Sequence, residues 1–110
     1  MMKESRQQIQ RPGETPFEIR ERARAVYSTL SNRDAYEIFS LAARGFASTS
    51  ILREQKFSKK RYYLRLKCLI NLGLVYKDGG MYRQTVFGRL VDENQVKLLE
   101  TLLEDIAHPT

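Results

Sequence analysis

Asp78-Gly79-Gly80 is the feature that most restricts the fold of this chain. It lies between Leu74-Val75-Tyr76 and Met81-Tyr82-Arg83-Gln84, two short runs rich in β-branched, aromatic and apolar residues. Glycine tolerates the left-handed backbone that a tight turn needs, so the stretch predicts a β-hairpin. Upstream and downstream, apolar residues recur at spacings of three and four, the period of a helix buried on one face. Phe17, Ile19, Ala23, Val26, Tyr27 and Leu30 predict a helix to about Leu30, with Pro16 suited to its first turn. Ser31 or Asn32 then caps a second helix, with the stripe Ala35, Ile38, Phe39, Leu41 and Ala42, and Gly45 stops it. A short third helix opens at Ala47-Ser48-Thr49 and runs to about Gln55. Ser58 caps a fourth, whose Tyr62, Leu66, Leu69 and Ile70 fall on or near one face before Gly73 ends it. Thr85 caps a last helix carrying Val86, Leu90, Val91, Leu98, Leu99, Leu102, Leu103 and Ile106, with a break or weak first turn at Gly88. The expected class is mainly α with a small β-hairpin.

Charge is placed along this pattern rather than spread. The chain has a formal net charge of +6. From Gln55 to Lys77 there are seven basic residues and no acid, so the remainder is close to neutral. Six of the seven fall between Lys56 and Lys67, on the fourth helix and the turn before it. Such a patch favours a polyanion. If Tyr62, Leu66 and Leu69 face the core, then Lys60, Leu64, Lys67 and Asn71 lie roughly opposite, flanked near the helix start by Arg61 and Tyr63. Arginine can fork to guanine O6 and N7, while lysine and tyrosine mainly hold phosphates. Ser48 and Thr49 add hydroxyls at the start of the short helix, suited to a phosphate oxygen. A short helix joined tightly to a basic one is a helix-turn-helix arrangement, whose second helix fits the major groove. Basic residues on a helix are more often only a solvated face, and at least one of Tyr62 and Tyr63 belongs to the core.

Phe57–Val75 followed by Tyr76–Gly88 resembles the recognition helix and wing of winged helix-turn-helix transcriptional regulators, a group that includes ArsR-like and MarR/PadR-like proteins. Leu30–Gly45 resembles the helix that precedes their reading motif. The resemblance implies a winged helix-turn-helix domain over residues 16–91 that binds double-stranded DNA. It implies DNA contacts from Ser58, Lys59, Lys60, Arg61 and Tyr63 at the start of the recognition helix. Wing contacts would come from Lys77 to Arg83, and from Lys77 and Arg83 above all, because the Asp-Gly-Gly tip has no base. It also implies dimerisation through terminal helices, here Phe17–Leu30 and Val86–Ile106. Metal-sensing members carry clustered Cys or His ligands; Cys68 and His108 are far apart, so neither a metal nor another cofactor is expected.

The last segment agrees with a dimer on its own terms. Asp92–Thr110 carries five acids and one lysine, and would be repelled from a duplex. Val91, Leu98, Leu99, Leu102, Leu103 and Ile106 offer more apolar surface than a small core needs. Residues 92–110 are therefore read as the C-terminal part of a dimerisation helix; the alternative is a plain core helix. Residues 1–15, polar with Pro12 and Gly13, are read as a flexible arm.

The same sequence argues against other classes. No apolar run is long enough to span a membrane. The N-terminus lacks the apolar stretch of a secretory signal, so a cytoplasmic protein is expected. One cysteine forms no internal disulfide. The only histidine is His108, and the acidic pairs Asp92-Glu93 and Glu104-Asp105 read as solvated surface, so no catalytic constellation is present and the chain is not expected to be an enzyme. The expected function is a transcriptional regulator acting as a homodimer on a duplex operator. The alternative is a nucleic-acid-binding or protein-interaction module without regulator activity.

Overall fold

A computed structural model describes residues 13–54 and 57–108. The expected N-terminal arm lies outside the described residues as far as position 12.

The protein is mainly helical with one two-stranded antiparallel hairpin. Helix α1 spans Pro16–Leu30. Thr15 and Glu18 close a reciprocal capping box at its start, which satisfies two backbone N–H groups that no helical bond could reach. Of its predicted stripe only Val26 is buried; Phe17, Ile19 and Tyr27 are exposed. Helix α2 spans Arg33–Leu41 and is capped by Asn32, whose side chain accepts from the Ala35 N–H at 3.0 Å. It ends four residues before Gly45, in a turn over Ala42–Arg44. Gly45 then takes a left-handed backbone, φ +88°. Helix α3 spans Ser48–Glu54 and helix α4 spans Lys59–Asn71. Ser58 caps α4 by accepting from the Arg61 N–H at 3.1 Å.

Strands β1, Val75–Asp78, and β2, Met81–Gln84, pair from Val75 with Gln84 to Asp78 with Met81. Asp78 therefore belongs to the ladder, and the loop is Gly79-Gly80 alone. A left-handed φ at Gly79 (+63°) and not at Gly80 is the pattern of a type II′ turn. A third, one-residue strand joins the hairpin: Phe46 donates to the Tyr82 carbonyl at 3.1 Å and accepts from its N–H at 2.7 Å. The two rings lie 5.7 Å apart.

Phe39, Ile38, Tyr62, Leu69, Leu74 and Val75 form the centre of the core. Ile70, expected beside them, is 39% exposed. The last helix starts as α5, Val86–Val91, with Thr85 capping the Gly88 N–H at 2.8 Å. It does not break at Gly88. Instead it widens into a π-helical turn over Asp92–Val96 and continues as α6, Lys97–Ala107.

One expectation about this segment is corrected. Asp92, read as solvated surface, is 3% exposed. Its carboxylate accepts from Gln84 Nε2 at 3.0 Å, and the same amide donates to the Phe39 carbonyl at 3.1 Å. A buried carboxylate with a fixed donor escapes the cost of an unpaired one. Val91, read as a dimerisation residue, is half-buried and packs with Val96 against the domain core. The unit that folds together thus runs past residue 91 into the π turn.

Candidate nucleic-acid interface

The outward face of α4 follows from its buried one. Tyr62, Leu66 and Leu69 anchor the helix, and Ser48 Oγ lies 2.7 Å from the Tyr62 hydroxyl. Burial pushes the Tyr62 phenol pKa up, and that hydrogen bond partly offsets the rise. Lys60, Leu64, Lys67 and Asn71 accordingly point to solvent. Lys59, Arg61 and Tyr63 flank them, also exposed, and the Tyr63 ring sits edge-on to Tyr62 at 4.8 Å. Ser58 and Thr49 are exposed as well, although the Ser58 hydroxyl is engaged as the cap.

Not every expected contact residue is free. Ser48 is half-buried and bonded to Tyr62, so its hydroxyl serves the joint between α3 and α4. Arg61 is paired with Asp34 at 3.1 Å. Arg83 Nε lies 3.7 Å from Asp78 Oδ2 across the hairpin, and the Lys77 ammonium sits 6.0 Å from the centre of the Tyr82 ring. The hairpin cations are thus partly neutralised or stacked, whereas Lys59, Lys60 and Lys67 on α4 are exposed. Two features escaped the sequence. Asp34 lies 27 residues from the guanidinium it holds, and no spacing rule links them. Arg65 Nε is buried with no hydrogen-bond partner among the described residues.

A second surface lies on the last helix. No residue of α6 is buried. Leu98, Leu99, Leu102, Leu103 and Ile106 are between 50% and 74% exposed, which contradicts the plain core-helix alternative. Where this helix meets α1 there is a groove of about 300 Å³, lined by Tyr27, Leu30, Tyr36, Gln95, Leu99 and Leu103 among others. Two polar clasps cross it: Tyr27 donates to Gln95 at 3.3 Å, and Tyr36 donates to the Glu100 carboxylate.

The Tyr36 clasp has a measurable consequence. The hydrogen bond to Glu100, then burial, then the nearby negative charge, push the Tyr36 pKa up from 10.0 to about 12. The folded-state value lies above the unfolded one. The clasp therefore stabilises the fold below about pH 10 and is lost as pH rises towards 12. Alkaline titration followed by tyrosinate absorbance should show a late step near pH 12 that Tyr36→Phe removes. Glu100→Gln should move that step back towards 10.0. An unmoved step in Glu100→Gln would show that the carboxylate is not its cause.

Among the described residues, no cluster of three or more His, Cys, Asp or Glu side chains is placed to hold a metal ion. No helix among them is long and apolar enough to cross a membrane. Comparison of the chain with protein-family models, curated proteins and solved structures found no match.

Proposed function

We propose that this protein is a DNA-binding transcriptional regulator of the winged helix-turn-helix type, acting as a homodimer in the cytoplasm. The observation that carries the reading is the outward face of α4, where Lys59, Lys60, Tyr63 and Lys67 are all exposed on an acid-free segment. The order of elements supports it. Helix α2, the Phe46 strand, α3, α4 and the hairpin follow one another as helix, strand, helix, helix and two strands. In this reading α4 enters the major groove, Lys77 and Arg83 reach the flanking backbone, and α6 joins two copies so that both α4 helices meet one duplex.

Salt dependence tests the electrostatic part. With about four to eight phosphates contacted per dimer, log affinity should fall against log salt with a slope of about −4 to −7. Lys60→Ala removes one phosphate ligand from each subunit and should flatten the slope by about 2, uniformly across sequences. Binding indifferent to salt would reject the interface. Selection of duplexes from a random pool tests the regulator part, since a specific site should be favoured by about a thousandfold or more over random duplex. Salt-sensitive binding without any selected sequence would favour the general nucleic-acid module instead.

A further inference from the structure

We infer that Asp34 is a positioning residue that presents Arg61 to a guanine base, and so sets a guanine preference at one position of each half-site. The inference rests on the DNA reading of α4. Asp34 Oδ2 accepts from Arg61 Nε at 3.2 Å and lies 3.1 Å from Nη2. Both contacts fall on one edge of the guanidinium. The opposite edge, formed by Nη1 and the second hydrogen of Nη2, is left as a planar two-donor fork. The Arg61 side chain is 58% exposed, and that of Asp34 is 22% exposed. Both partners are fixed at their bases. The Arg61 N–H is held by the Ser58 cap, and Asp34 sits in the first turn of α2, two residues after the Asn32 cap. A negative charge there is also favoured by the helix dipole.

The pairing decides between two roles for Arg61. A phosphate ligand works through net charge, and a carboxylate at 3.1 Å cancels most of it. Lys59 and Lys60, on a helix whose sequence carries no acid, are the better phosphate ligands. A base contact works through donor geometry, which the carboxylate leaves intact and steadies. The free fork matches the O6 and N7 acceptors of guanine in the major groove. A pure structural role explains the pair poorly, because exposed ion pairs add little to stability. Asp34 also brings an acid to the start of the most basic helix. That weakens attraction to any duplex and improves discrimination between duplexes.

The test is selection from random duplex pools with the wild-type chain, Arg61→Lys and Asp34→Ala, together with affinity for an unselected duplex. The wild type should select sites with a guanine at a fixed position in each half. Arg61→Lys keeps the charge and loses the fork; it should lose the preference at that position by about tenfold or more, with an unchanged salt slope. Asp34→Ala should relax the same position by roughly fivefold, while binding unselected duplex as tightly as the wild type or more so. Thermal unfolding should show Asp34→Ala folded, as expected for an exposed pair. A guanine preference that survives either substitution overturns the inference and leaves the DNA reading standing. Wild-type binding that selects no guanine overturns it too. A wild-type chain that binds no duplex overturns both.

Discussion

Gly88→Ala should unfold at a lower urea concentration than the wild type, with a loss of roughly 2–3 kcal/mol. Intrinsic helix preference points the other way, since alanine in a helix is favoured over glycine by about 1 kcal/mol. Geometry decides the sign. A Cβ at Gly88 would lie 2.1 Å from the Leu74 carbonyl oxygen and 3.0 Å from its carbon. Those are backbone atoms, so no side chain can swing aside. Leu74 is fully buried. Its N–H donates to the Leu69 carbonyl at 3.0 Å, and its own carbonyl accepts from the Thr85 N–H at 3.1 Å. Moving it would disturb the end of α4, the entry to β1 and the start of α5 together. Gly73, at φ +76° with open space around its Cβ position, is the control. Gly73→Ala should cost only about 1 kcal/mol, through backbone strain. Gly88→Ala matching or exceeding wild-type stability would mean that α5 does not seat on Leu74.

Leu99→Glu with Leu102→Glu should convert the proposed dimer into a folded monomer. No residue of α6 is buried within the chain, so the substitutions leave the domain core untouched. In the proposed dimer the same leucines meet their twofold-related copies. Each buried leucine contributes roughly 1.5–3 kcal/mol before the entropy of association is subtracted. Losing the pair from both subunits, and adding like charges across the axis, should weaken dimerisation by at least about a hundredfold. Sedimentation equilibrium at micromolar concentration reads this directly. Circular dichroism should still show a helical chain. Affinity for a two-half-site duplex should fall with the dimer, while affinity for a single half-site should not. A wild-type chain that stays monomeric, alone and on duplex DNA, would leave the exposed ridge on α6 without this role.

The two surfaces differ in how far local reasoning reaches them. The outward face of α4 was legible because one short rule applies: once Tyr62, Leu66 and Leu69 are turned inward, helical geometry turns Lys60, Leu64 and Lys67 outward. The ridge on α6 was legible as an apolar stripe, but periodicity alone does not say whether a stripe is covered. Leu98 to Ile106 turned out exposed, and so did Phe17, Ile19 and Tyr27 on α1, whose pattern reads no differently from a core stripe. Val91, seven residues before Leu98 on the same helix, turned inward instead.

By itself the sequence determined the elements whose bonds close within a few residues. The caps Asn32, Ser58 and Thr85 each accept from an N–H three residues on. The turn at Gly79-Gly80 closes the ladder between Asp78 and Met81. The grouping of basic charge on α4 is likewise a matter of neighbours in the chain. Only the tertiary structure decided the contacts that depend on how distant elements cross. These are the bridge from Phe46 to Tyr82, the burial of Asp92 by Gln84, the seating of Gly88 on Leu74 and the hold of Asp34 on Arg61. The physical reason is that a residue's type sets which partners it can bond, while the packing of whole helices sets which partners come within 3 Å.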